Sequence, residues 1–248
     1  MYFVDRVYKL TTERAGPQAT TVKLQPLRSA PLCVKLSEMN STKPSAAEFR
    51  EALETEAINY RITLTAEVLR SLSKYYELLN MWNSRLHLVA PCSPKAFAAR
   101  HVLESLLLLD HLPEGARVAD IGSGAGLPII PCLIARPDIH GVLIEASNKK
   151  AVFLREALNE TATSRRASVI AERFENMEPP EVGFVTSRAL ERFEQILPQL
   201  LSWAPTPGKL LLFGGEGLGK KIEDSGYGAS KTLIPKSQRR FLFVITKP

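Results

Sequence analysis

Two hydropathy rhythms divide the chain. From Ser45 to about Leu109, apolar residues recur at helical spacing; beyond Gly115, short apolar runs alternate with helical segments. In the first stretch, Ser45-Ala46-Ala47-Glu48 matches a capping box, in which serine and glutamate satisfy each other's free backbone donors. A second helix is predicted over Thr65–Trp82, with Leu69, Leu72, Tyr76 and Leu79 along one face. A third is predicted from Ser93-Pro94, a cap followed by proline at the first helical position, to about Leu109. Residues 45–112 therefore read as a helical cap.

In the second stretch, strands are predicted at Arg117–Ile121, Val142–Glu145, Ala167–Ala171, Val182–Thr186, Lys209–Phe213 and Arg240–Ile245. Helices fill Leu127–Ala135, Asn148–Leu158 and Leu190–Trp203, and the first of these stops short of Pro137, which would break it. Strand–helix alternation implies an α/β fold over residues 113–248: a doubly wound, mostly parallel sheet with right-handed crossovers.

The remaining 44 residues at the front carry no sustained periodicity and are interrupted by Pro17, Pro26, Pro31 and Pro44, so they read as a disordered extension. Met39 stands just before the first capping box, and residues 1–38 are expected to be dispensable for catalysis. Of the net charge of +6, residues 1–45 hold +4, from seven basic and three acidic side chains. A basic balance favours a nucleic-acid partner. Cys33, Cys92 and Cys132 have neither metal-ligand nor redox spacing, which fits a reducing cytoplasm. No apolar run approaches membrane-spanning length, and no basic segment leads into an apolar one at the N-terminus. A monomeric cytoplasmic protein without a membrane partner is expected.

The densest local signal is Val118-Ala119-Asp120-Ile121-Gly122-Ser123-Gly124-Ala125-Gly126-Leu127-Pro128. An apolar strand runs into alternating glycines and then a helix start, at the sheet edge where doubly wound folds bind ligands. A dinucleotide fingerprint would be G-x-G-x-x-G; this is G-x-G-x-G behind an acid, Asp120. A phosphate site disfavours a carboxylate there, whereas a cofactor with sulfonium and ammonium groups accommodates one. Glu145 closes the next strand, where a carboxylate can accept from both ribose hydroxyls of a nucleoside cofactor. A plain tight turn and a solvated glutamate remain the competing reading of the same residues.

These segments resemble the bacterial small-subunit (16S) ribosomal RNA guanine-N7 methyltransferases, also called the glucose-inhibited division protein B family. The resemblance runs from about Leu69 to the C-terminus. It rests on Trp82-Asn83, on Arg100-His101-Val102-Leu103-Glu104-Ser105, on Asp120 to Pro128, on Lys149-Lys150 with Phe153-Leu154, and on Ser187-Arg188-Ala189. The chain departs from the family at His87-Leu88-Val89, where Asn-Leu-Thr is common. It departs again at Phe174, where a small residue is usual, and at Gly214-Gly215, where Lys-Gly is usual.

The resemblance implies a Rossmann-like class I methyltransferase that uses S-adenosyl-L-methionine on small-subunit ribosomal RNA, free or in the subunit. It implies that Gly122, Gly124 and Leu127 line the cofactor pocket and that Glu145 holds the ribose. Phe174 and Glu175 take the adenine ring, and Arg188 sits at the mouth as the catalytic candidate, near the cofactor's charged tail or the RNA. Guanine N7 carries an in-plane lone pair and needs no general base or metal, so alignment does the work. No metal site is expected. His101 is open between a structural role and contact with RNA or the pocket, and Trp82 between core and base stacking. Lys220-Lys221 and Arg239-Arg240 are candidate phosphate contacts or solvated surface. A methyltransferase acting on a small molecule or protein, and a non-catalytic RNA-binding protein, are the alternatives.

Overall fold

A computed structural model describes residues 45–188 and 193–248. The expected extension over residues 1–44, and the predicted helical residues 190–192, lie outside the described residues.

The first helix, α1 (Ala46–Glu56), starts where the capping box placed it: the Ser45 hydroxyl accepts from the Glu48 N–H at 3.3 Å. Helix α2 (Ala66–Leu86) is capped in the same way by Thr65, buries Leu69, Leu72, Tyr75, Tyr76 and Leu79, and ends on His87 in the left-handed region. The third predicted helix runs continuously from Pro94 to His111 but is not α-helical throughout. It divides into α3 (Pro94–Phe97), a π-helical turn at Ala98–Leu103, α4 (Glu104–Leu106) and a 3-10 turn at Leu107–His111. A π-turn loosens the ordinary carbonyl ladder and frees main-chain acceptors for other partners.

The sheet holds β1 (Arg117–Ile121), β2 (His140–Ile144), β3 (Ala167–Ile170), β4 (Phe184–Arg188), β5 (Gly208–Gly214), β6 (Ala229–Leu233) and β7 (Phe241–Lys247) in the order β3-β2-β1-β4-β5-β7-β6. β1 to β5 pair in parallel, and β7 lies antiparallel to both β5 and β6. Between them run α5 (Ile129–Ala135), α6 (Asn148–Glu160), α7 (Phe193–Trp203) and α8 (Glu216–Asp224).

The pleat sends alternate residues to opposite faces. Val118 and Leu211 join one apolar cluster, while Ala119, Ile121, Leu210 and Leu212 join the other. The first cluster also takes in Phe49, Leu72 and Leu79 from the cap helices beside Ile130 and Phe153 from α5 and α6. Cap and sheet thus share one core along that face.

Further elements differ from the sequence expectation, among them these. Val182, predicted to open a strand, is buried but lies ahead of the ladder, which begins with Val118 opposite Phe184; β4 therefore extends to Arg188. Helix α8 was hidden by Gly217 and Gly219, poor helix formers. A Cβ at Gly219 would lie 2.9 Å from the Phe243 ring, so packing rather than propensity selects glycine there. The short edge strand β6 is mostly exposed and has no apolar alternation to reveal it.

Candidate functional site

A cavity of about 600 Å³ opens where β1, β2 and β4 end. That is the size of a site for a nucleoside-sized ligand, and it stands at the carboxyl edge of a parallel sheet, as doubly wound folds require.

One wall is the glycine loop. The N–H groups of Gly122 and Ser123 donate to the Ile144 carbonyl at 2.9 and 3.2 Å, tying the end of β1 to β2. Gly124 has φ 51°, and a Cβ there would meet only the Gly122 carbonyl, at 3.7 Å, so its free side faces open space. Gly126 has φ 81°, and a Cβ would fall 2.3 Å from Ile130 Cδ1 and 3.2 Å from Leu154 Cδ2. It therefore performs the helix-packing duty that the longer dinucleotide spacing assigns to its last glycine.

Glu145 folds back onto this loop. Its Oε2 accepts from the Gly124 N–H and its Oε1 from the Ser147 N–H, both at 2.8 Å. Each carboxylate oxygen has a second lone pair, so the pair can still accept from a ligand. Below the loop, Asp120 is 1% exposed, and neither of its carboxylate oxygens has a hydrogen-bond partner. Burial pushes its carboxyl up to about 8. The Ser123 hydroxyl donates instead to the Asp120 main-chain carbonyl at 2.9 Å. From α2, the buried Tyr75 hydroxyl donates to the Ala125 carbonyl at 2.6 Å, so the helical cap props the loop from behind.

Leu127, Phe174 and Glu175 also line the cavity. Phe174 begins a 3-10 turn after β3 and packs edge-on against Trp203 at 5.5 Å, while the Trp203 indole N–H holds the Met177 carbonyl at 2.7 Å. Glu175 lies 3.7 Å from the Arg173 guanidinium.

The opposite wall is built around the π-turn. Arg188 ends β4, and its side chain is only 15% exposed. It lines the cavity, and its guanidinium is turned onto the π-turn. Nη2 donates to the Arg100 carbonyl and lies 3.3 Å from His101 Nδ1, and Nη1 donates to the His101 carbonyl at 3.3 Å and to Ser105 Oγ at 3.5 Å. Glu104 Oε2 stands 3.5 Å from Arg188 Nη2 and accepts from Arg240 Nη1 at 2.7 Å, while Oε1 is buried without a partner. Burial raises the Glu104 pKa against the pull of the two arginines. Burial, with Arg188, Arg100 and Arg240 nearby, brings His101 down to about 4, so its ring is neutral near pH 7.

Gly122, Gly124, Leu127, Glu145, Phe174, Glu175 and Arg188 thus meet in one cavity. Arg240, a candidate phosphate contact, is turned inward to Glu104. Trp82 packs edge-on against Phe153 at 6.1 Å. Sequence reasoning missed Tyr75, the anchoring role of Glu104 and the His87–Ala90 segment that lines the cavity. The signal for that segment was Asn83, quoted for its resemblance alone: its amide pairs twice with Val89, at 3.0 and 2.9 Å, and sets the loop's course. Among the described residues, no group of His, Cys, Asp and Glu is disposed to hold a metal ion.

Residues 68–236 match the family described as rRNA small subunit methyltransferase G. A ribosomal RNA small subunit methyltransferase G from Nitrosomonas eutropha is 38% identical over 149 residues, covering 58% of this chain and 69% of that protein. One from Sorangium cellulosum is 36% identical over 173 residues, covering 67% of this chain and 72% of that protein. Among solved structures, a SAM dependent methyltransferase from Aquifex aeolicus is 15% identical with a TM-score of 0.49, covering 60% of this chain and 92% of that one.

Proposed function

This chain belongs to the rRNA small subunit methyltransferase G family, and from that membership we propose that it places the methyl group of S-adenosylmethionine on N7 of a guanine in small-subunit ribosomal RNA. It is an S-adenosylmethionine-dependent ribosomal RNA methyltransferase; the N7 atom, the residue roles and the monomeric, cytoplasmic state are the proposed refinements.

The observation that carries the cofactor assignment is the orphaned Asp120 carboxyl under the glycine loop, beside Glu145. A buried acid without a partner costs stability unless a ligand compensates it. S-adenosylmethionine, when bound, supplies a positively charged methyl donor with an ammonium tail. Glu145 presents a carboxylate to such a ligand from the cavity wall, and the buried Asp120 carboxyl beneath the loop gains from a cation's approach by ionising. Glu145 keeps acceptor capacity for ribose hydroxyls, and the open side of Gly124 admits close approach. Phe174 and Glu175 are assigned to the adenine, and Leu127 to the apolar part of the pocket.

The chemistry asks little of side chains. N7 attacks with its own lone pair, so the protein's task is to present the base in line with the methyl carbon and exclude water. Among the described residues the lining holds no nucleophile–base pair, and the reaction needs none. The base must leave its stack to reach such a pocket, which the concave edge between the glycine loop and the π-turn allows.

The test is mass spectrometry of small-subunit ribosomal RNA from a strain lacking this protein, before and after it is supplied again. One N7-methylguanosine lost and then restored is the expected result; unchanged RNA would remove the N7 assignment.

A further inference from the structure

The π-turn wall carries a donor to which the proposed cofactor site assigns no role. His101 lines the cavity, and its Nδ1 lies 3.3 Å from Arg188 Nη2. A guanidinium only donates, so Nδ1 must accept and the ring proton resides on Nε2. Among the described residues Nε2 has no hydrogen-bond partner, and it is not among the sealed polar atoms. The ring is braced against Phe97, with centroids 5.0 Å apart, and its own main-chain carbonyl is held by Arg188. The imidazole is therefore fixed in tautomer and in position, with one unspent N–H.

We propose that His101 is a specificity-determining contact for the acceptor base, donating from Nε2 to the O6 atom beside the reacting N7 of guanine. This rests on the guanine-N7 reading above. The two purines differ at this edge. Guanine presents O6, an acceptor, next to N7; adenine presents an amino group, a donor. A single N–H beside the reaction centre matches guanine and opposes adenine. It also leaves the N7 lone pair free.

The commonest protein contact to this edge is a bidentate arginine covering O6 and N7 together, which would block the nucleophile. The one buried arginine on this wall is withheld from that geometry: its terminal nitrogens are engaged by the Arg100 and His101 carbonyls, Ser105, Glu104 and His101 Nδ1. Arg188 is then a positioning residue that acts through His101. The low pKa of the imidazole agrees with a neutral donor.

The experiment uses the full chain and three variants. His101→Gln keeps an amide N–H near the place of Nε2. His101→Asn keeps polarity near Nδ1 but has no reach to Nε2. His101→Leu has neither. Methyl transfer is measured on small subunits from a strain lacking this protein, with kcat and KM separated and the methylated nucleoside identified by mass spectrometry. S-adenosylhomocysteine affinity is measured alongside, by calorimetry.

Leu and Asn should lower kcat by about 10- to 100-fold, the range for losing one buried polar contact, and Gln should recover most of it. S-adenosylhomocysteine affinity should stay at the wild-type value in all three, which also shows that they fold. Full activity in His101→Leu overturns the proposal. Equal losses in Gln, Asn and Leu overturn it as well, because shape rather than the donor would then matter, and so does a parallel loss of S-adenosylhomocysteine affinity. Wild-type protein that yields no N7-methylguanosine overturns the functional reading itself, and this proposal with it.

Discussion

The two walls of the cavity are built on opposite principles. The glycine-loop wall is acidic and local: Glu145 reaches Gly124, 21 residues away, and Ser147, two residues away, inside one strand–helix–strand unit. The π-turn wall is basic and assembled from afar: Arg188 meets Arg100 across 88 residues, and Arg240 meets Glu104 across 136. On the first wall the acid Glu145 is satisfied by main-chain N–H groups, and beneath that wall the buried Asp120 is left without a partner. On the second, one acid is shared between two arginines. In the proposed reading, a cationic cofactor lies toward the glycine loop and the polyanionic RNA toward the π-turn.

That contrast can be broken from either side. The largest effect is expected at the acidic wall. Gly122→Val adds a branched side chain at φ 69°, a backbone conformation it resists, in the loop that faces the cofactor. Calorimetry should detect no S-adenosylhomocysteine binding to a protein whose circular dichroism is native; normal affinity would dislodge the loop from its role.

At the basic wall the cost should appear as stability. Glu104→Gln leaves two arginines facing each other with no anion, and breaking such a buried pair costs roughly 3 kcal/mol or more. Urea unfolding should show that loss with little change in cofactor affinity. If the affinity collapses and the stability holds, the two walls are not independent.

Glu145→Ala should weaken S-adenosylhomocysteine binding by about 1.5–3 kcal/mol, the range for hydrogen bonds to a charged group. Unchanged binding would mean that Glu145 only closes the loop.

The smallest and sharpest effect is on pH. With its carboxyl held up at about 8 by burial, Asp120 is neutral at pH 7 in the free protein, and a cationic ligand favours its ionised form. Binding of S-adenosylmethionine should therefore release a proton and tighten as pH rises toward 8, by at most about tenfold per pH unit. Asp120→Asn should flatten that slope. Folding follows the opposite sign. The unfolded carboxyl ionises near 4, so the stability contributed by the neutral form is full below that pH and is lost as pH climbs through the folded value. A wild-type affinity independent of pH would mean that Asp120 does not sense the ligand's charge.

Much of the acidic wall could be read without coordinates. The strand, the alternating glycines and a glutamate at the end of the next strand follow from spacing, because a parallel strand–helix–strand unit returns its second strand beside the first and brings those ends together. The finer division of labour could not. That Gly126 serves packing while Gly124 faces open space depends on where Ile130 and Leu154 come to rest. The basic wall was half legible. Arg188 and His101 stood in recognised segments, but the split of the third helix into α3, a π-turn and α4 has no signature in the local pattern. Its carbonyls are taken by an arginine that arrives on β4, and the predicted position of that strand was itself two residues early.

Leu127, Phe174, Glu175 and Arg188 were named through the family resemblance, whereas the chain's own pattern of apolar, glycine and acidic residues was sufficient for the α/β class, for the glycine loop at the end of β1 and for Glu145 beside it. Those features depend on periodicity and on backbone conformations that few residues tolerate, both of which are local properties. Burial and long-range pairing are not local. Only the packed molecule leaves Asp120 without a partner, spends the donors of Arg188 on the π-turn, and turns His101 so that its remaining N–H is free, because each depends on which distant groups close the volume around it.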